Sequence, residues 1–168
     1  MSDVGSSRRV VVMGVTGSGK TTVGSALAAR LGARFVDADQ LHPTENIEKM
    51  ARGLPLTDDD RGPWLHHVGA VLADEQAPLV VACSALARRY RDIIREYAPD
   101  TCFVHLLGER DVLGDRVSRR RGHFMPAIML DSQFDTLEPL AEDEDGMTID
   151  ASLDPGIIVE RATEHLTR

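Results

Sequence analysis

Short apolar runs alternate with longer amphipathic stretches along this chain, an order that predicts an α/β protein built on a parallel sheet. The first run, Arg9 to Met13, is β-branched and stops at Gly14. Val23, Ala26, Leu27 and Leu31 then form one apolar stripe from Lys20 to Leu31, with Gly32 as a natural stop. Arg34 to Val36 reads as a short second strand ending at Asp37, followed by helical patterns at Thr44–Arg52 and Gly62–Asp74. In the latter, Trp64, Leu65, Val68, Val71 and Leu72 recur at helical spacing, and the acidic lead Thr57-Asp58-Asp59-Asp60 suits the positive end of a helix dipole. Pro78 to Cys83 reads as a central strand, with Ser84 as the expected cap of a helix whose apolar face is Leu86, Tyr90, Ile93, Ile94 and Tyr97. Cys102 to Leu107 is a further strand, and Asp111 to Arg121 and Pro126–Phe134 are helical patterns. Glu142–Asp145 is an acidic loop and Met147–Ile149 a weak last strand; Asp154-Pro155 supplies the cap and first position of a final helix.

Composition narrows the setting. The chain has 168 residues, 42% hydrophobic and 27% charged, proportions of a folded globular protein. No repeat or long linker divides it, so one domain over residues 1–168 is expected. No apolar run approaches the roughly 18 residues needed to cross a bilayer, and Met1 to Arg9 lacks the apolar core of a signal peptide, so a cytoplasmic protein is expected. Lys and Arg total 19 against 27 Asp and Glu, a net charge of −8 that disfavours nucleic-acid and anionic-membrane partners. Cys83 and Cys102 lie in apolar segments and read as buried thiols. The six histidines show no ligand spacing, and no structural metal is expected.

Chemistry enters at Gly14-Val15-Thr16-Gly17-Ser18-Gly19-Lys20-Thr21, which fits G-x-x-x-x-G-K-[ST] between a β-run and a helix. Gly17 and Gly19 let successive backbone N–H groups converge on a phosphate, and the helix N-terminus adds positive partial charge. Lys20 is placed to bridge the β- and γ-phosphates of a nucleotide, and Thr21 to offer its hydroxyl to Mg²⁺. Asp37 and Asp39 close the second strand, where open α/β sheets bind ligands. Spaced i, i+2 on extended backbone, they are expected to point the same way, one serving a metal and its waters, the other a reacting hydroxyl. Arg116 and Arg120 share a helical face, and Arg119 and Arg121 join them before Gly122, a hinge for a closing lid. The stretch from His42 to Trp64 is rich in polar groups suited to a polyhydroxylated anion, although Trp64 alone reads as core.

The phosphate loop, together with DADQLHPTENIEKMARGLPLTDDDRGPWL, VACSALARRYRDIIR and RRRGHFMPAIMLDSQFDTLEPL, closely resembles the gluconokinase family from Val10 to about Arg161. The resemblance implies a three-layer α/β/α P-loop kinase fold, with a five-stranded parallel sheet, a helical substrate-binding region at about 40–75 and a lid at about 116–136. It implies phosphorylation of D-gluconate at the 6-hydroxyl from ATP with Mg²⁺, and a homodimer. By similarity, Lys20, Asp39 and Arg120 are catalytic, with Asp39 as base. Thr21 and Asp37 serve Mg²⁺, the aspartate through water. Nucleotide contacts fall to Gly14, Thr16, Gly17, Ser18, Gly19, Lys20, Thr21, Thr22, Arg116, Arg120, Asp154 and Pro155. The sugar acid falls to Asp39, His42, Lys49, Arg61, Ser84, Arg91 and His123. Arg88 stands where many members have lysine, and Met125 replaces a commoner aromatic; both bear on sugar-acid preference. A GTPase reading lacks its N-K-x-D. A kinase of another small hydroxy acid or of a shikimate-like acceptor is the alternative, although Cys83-Ser84-Ala85-Leu86 stands where shikimate kinases carry a glycine triplet.

Overall fold

The computed structural model describes residues 9–74, 78–119 and 127–167. Five strands form one parallel sheet: β1 (Arg9–Met13), β2 (Arg34–Asp37), β3 (Leu79–Ala82), β4 (Cys102–Leu107) and β5 (Gly146–Asp150). Their spatial order is β2-β3-β1-β4-β5. The chain leaves β1 toward one edge of the sheet, then crosses from β3 over β1 to β4. The crevice at that reversal, beyond the C-terminal end of β1, is where such sheets bind ligands.

Alternation along the central strands builds two cores. Val10, Val12, Val80 and Val104 face one side, where they meet α1 (Lys20–Leu31), α5 (Arg110–Arg119), α6 (Ala127–Thr136) and α7 (Pro155–Leu166). Val11, Met13, Leu79 and Val81 face the other, against α3 (Asp58–Asp74) and α4 (Arg88–Tyr97). These are the three α/β/α layers expected. A short helix, α2 (Thr44–Ala51), joins β2 to α3.

Helix starts account for most differences from the sequence expectation. α3 begins at Asp58, four residues before the expected Gly62, and runs through Pro63. A reciprocal cap holds it there: Asp60 N donates to Thr57 Oγ1 at 3.1 Å, and Thr57 N donates to Asp60 Oδ2 at 2.8 Å. Ser84 does not cap α4, which starts at Arg88. Residues 84–87 stay non-helical because Ala85 takes a φ of +42° and the carbonyls of Ala85 and Leu86 accept from the buried Arg91 side chain. Asp154 does cap α7, accepting from Gly156 N at 2.9 Å with Pro155 next in line. Cys83 and Cys102 are buried as expected, and burial pushes the Cys83 thiol up to about 12. Among the described residues, no helix is long and apolar enough to cross a membrane.

Candidate active site

The strand ends and the loop after β1 enclose a cavity of about 540 Å³. Its floor is the phosphate loop. Gly17 takes a φ of +82° and Gly19 a φ of +96°, a region side chains avoid. A Cβ on Gly17 would lie 2.9 Å from Val117 Cγ2 of α5, whereas one on Gly19 would meet open space. The loop is therefore clamped at one glycine and open at the other. The amides of Gly17, Gly19 and Thr21 have no acceptor among the described residues. Ser18 Oγ is buried and lacks a partner among the described residues. Such a ring of unpaired donors at the start of a helix fits the phosphates of a nucleotide. Lys20 reaches back over the loop, its Nζ donating to Val15 O at 3.0 Å.

Asp37 and Asp39 face this loop across the cavity. Contrary to expectation, they do not sit on one extended segment. The strand ends at Asp37, and Ala38–Leu41 forms a turn of 3-10 helix whose N-terminus Asp37 caps, accepting from Asp39 N at 3.0 Å. The tighter turn still delivers both carboxylates to the cavity. Burial, with the Asp39 charge adding to it, raises the Asp37 carboxyl above its usual range against the lowering effects of the Asp39 amide and Lys20. A half-buried carboxylate whose charge is disfavoured, lining the same cavity as Thr21, fits a site for a divalent cation.

The third wall comes from α2 and α3. His42 stacks on Trp64 with ring centroids 4.0 Å apart and planes at 17°. The indole Nε1 donates to Ala38 O at 2.8 Å, which fixes Trp64 against the aspartate turn. Asn46 Nδ2 donates to His42 Nδ1 at 3.2 Å and to Asp60 O at 2.9 Å. Arg61 enters the cavity with its Nη1 donating to the Tyr90 hydroxyl at 2.9 Å, and that hydroxyl donates to Asp58 Oδ1.

Of the residues expected in the site, Thr16, Gly17, Gly19, Lys20, Thr21, Thr22, Asp37, Asp39, His42, Arg61 and Ser84 line this one cavity. Lys49 lies behind it, ion-paired to Asp60 at 2.6 Å. The structure does not bring Arg91 to the cavity. It is wholly buried, with Nε and Nη2 on Glu144 at 2.7 and 3.0 Å, and its length is spent bracing residues 84–87. Gly14 sits beneath the loop, where a Cβ would meet Ser18 Oγ at 2.6 Å. Arg116 buttresses the loop from α5, with Nη1 donating to Gly17 O at 3.3 Å and Nη2 to Ala151 O at 2.9 Å. Asp154 and Pro155 stand at the start of α7, outside the cavity lining. Arg120, Arg121, His123 and Met125 lie outside the described residues.

Sequence reasoning gave no role to Met129, Ser132 and Gln133, which line the cavity from α6. Their i, i+3, i+4 spacing was the available signal. Gln133 Oε1 accepts from Thr16 N at 2.6 Å. Trp64, read as core, is both core and wall.

A G-x-x-x-x-G-K-[ST] loop at the switch point of a parallel sheet, facing two aspartates across one cavity, defines a small P-loop phosphotransferase. Comparisons agree. The shikimate kinase family model matches residues 16–166. A probable gluconokinase of Xenopus tropicalis is 44% identical over 95% of this chain and 93% of its own length. The thermoresistant gluconokinase of Escherichia coli (strain K12) is 48% identical over 83% of this chain and 82% of its own. The crystal structure of a gluconokinase from Sinorhizobium meliloti 1021 superposes with a TM-score of 0.88 at 48% identity, covering 95% of this chain and 91% of that one. The chain belongs to the gluconokinase family.

Proposed function

We propose that this protein transfers the terminal phosphoryl group of ATP to the 6-hydroxyl of D-gluconate, giving 6-phospho-D-gluconate and ADP. The observation that carries the reading is that Lys20 and the open amides of the loop share one cavity with Asp39. The gluconokinase relatives supply the acceptor.

The loop from Gly17 to Thr22 holds the donor's phosphate tail, and Lys20 follows the charge that moves outward with the phosphoryl group. Mg²⁺, when bound, supplies charge neutralisation on the terminal phosphates; Thr21 and Asp37 would hold it, Asp37 through water. Asp39 accepts the proton of the attacking hydroxyl. Arg61, held by Tyr90, pairs with the sugar-acid carboxylate, and His42 and Ser84 bind its hydroxyls. Lys49 acts by fixing the Asp60 cap of α3, which carries Arg61. The segment at about 116–136 closes as a lid, with Arg116, Arg120 and His123 excluding water that would hydrolyse ATP. Asp154 and Pro155 border the adenine. The molecule is one domain and works in the cytoplasm as a homodimer, which light scattering on the purified protein tests.

A coupled ADP assay with gluconate, other aldonates and shikimate tests the reaction. ATP consumption dependent on gluconate is expected, with Lys20→Ala and Asp39→Asn each losing roughly 10²-fold or more in kcat while keeping the wild-type circular dichroism. Gluconate-independent ATP hydrolysis, or preference for shikimate, refutes the assignment. Near-normal kcat in Asp39→Asn refutes the role of base.

A further inference from the structure

Gln133 is tied to the phosphate loop by chemistry that fixes which way round its side chain stands. Thr16 N–H is a donor, so the atom 2.6 Å from it is the carboxamide oxygen. The amide nitrogen, with two N–H donors, is left on the other side of the group. It has no acceptor among the described residues, and the side chain lines the cavity that holds Lys20 and Asp39. α6 is therefore joined to the loop through an acceptor, and its Gln133 brings an unpaired neutral donor to the cavity that loop and aspartates share. A neutral donor suits an anionic oxygen there without adding a charge that would hold the product.

We infer that Gln133 is a further residue of the transfer step: its Oε1 pins the Thr16 amide, and its Nε2 donates to an anionic oxygen of the phosphoryl group in transit. The inference rests on the kinase reading above. It gives α6 a direct part in the chemistry, because any movement of that helix takes the donor and the Thr16 contact with it.

Two substitutions separate the halves of the role. Gln133→Glu keeps an oxygen for Thr16 N–H but loses the donor. Gln133→Met keeps the length and loses both, without adding charge. Steady-state kinetics in ATP and gluconate, binding of a non-hydrolysable ATP analogue, and thermal unfolding are measured on the full-length protein. Both variants are expected to lose roughly 10²-fold in kcat, with KM for gluconate within about threefold of wild type. Thermal midpoints stay at the wild-type value. Analogue affinity falls severalfold in Gln133→Met alone, where the loop is no longer pinned.

Wild-type kcat in both variants overturns the inference. So does a loss confined to KM for gluconate, which would make Gln133 a reader of the acceptor's hydroxyls. A large loss in Gln133→Glu with full activity in Gln133→Met reduces the effect to charge repulsion and also overturns it. The wild-type control distinguishes the two levels. If wild type turns over gluconate and the variants match it, only the role of Gln133 fails; if wild type shows no sugar-acid-dependent turnover, the kinase reading fails and takes this inference with it.

Discussion

Mild acid should destabilise this protein, and two buried histidines are the main reason. His105 lies on β4 with zero exposure, and neither ring nitrogen has a partner among the described residues. Burial, reinforced by the Arg91 and Lys20 charges, pushes its pKa from 6.5 down to about 4. His42 is buried against Trp64 and accepts at Nδ1 from Asn46, a bond only the unprotonated nitrogen can make. Burial and then the Arg61 charge push it down to about 4 as well. Above pH 6.5 both rings are neutral folded or unfolded, and neither carries a penalty. As pH falls, the unfolded chain binds protons that the folded chain refuses, so stability declines until the folded rings titrate near pH 4. The difference is worth about 3 kcal/mol per ring in full, and about 2 kcal/mol per ring by pH 5. Asp58, Asp60 and Glu144 are each held at about 2, so their loss of stabilisation comes at lower pH. Asp37, raised by burial, works in the opposite sense and offsets part of the loss. Urea unfolding at pH 7.5, 6 and 5 should therefore show ΔG falling by about 3–4 kcal/mol at constant m. His105→Leu removes one titrating ring and two unpaired polar atoms. It should match or exceed wild-type stability at pH 7.5 and lose about half of the pH dependence. A wild-type ΔG that is flat from pH 7.5 to 5, or a His105→Leu variant with the full slope, refutes the reasoning.

Two further perturbations test the supports of the site. Arg91→Ala leaves the Glu144 carboxylate buried with one cation fewer, and should cost about 3–5 kcal/mol, or about 10 °C in thermal midpoint. The double variant Arg91→Met with Glu144→Leu should recover part of that loss, which differential scanning calorimetry would register. Tyr90→Phe removes the hydroxyl between Arg61 and Asp58; KM for gluconate should rise roughly 10-fold with kcat within about twofold, since the change releases a binding group and leaves the transfer machinery intact.

The fold was legible because its signals are local. Each strand is a short β-branched run, and alternation alone assigns Val10 and Val11 to opposite cores. The phosphate loop was legible because glycine, lysine and threonine have fixed duties there. What escaped rests on side chains that bond to backbone, which apolar patterning does not register. Asp60 caps α3 through Thr57, so the helix started earlier than its apolar stripe. Ser84 looked like a cap, but Arg91, several residues on, holds the backbone out of a helix. Gln133 sits 117 residues from the amide it contacts, and no local pattern announces that bond.

Arg91 also shows why cationic residues could not be sorted from the sequence. A protein of net charge −8 that binds two anions must keep some positive charge unneutralised. Five arginines on and around the site differ in whether a carboxylate matches their charge. Arg88 lies on Asp143 at 2.6 Å, Arg89 on Asp58 at 2.9 Å and Arg91 on Glu144 at 2.7 Å, so their charge is matched by carboxylates and serves the scaffold. Arg116 is held by the Gly17 and Ala151 carbonyls, and Arg61 by the Tyr90 hydroxyl with its nearest carboxylate oxygen at 3.8 Å. Neutral acceptors orient a guanidinium without cancelling its charge. Arg116 and Arg61 stand beside the loop and inside the cavity, where an incoming phosphate or carboxylate would find a cation already aimed and still able to pair.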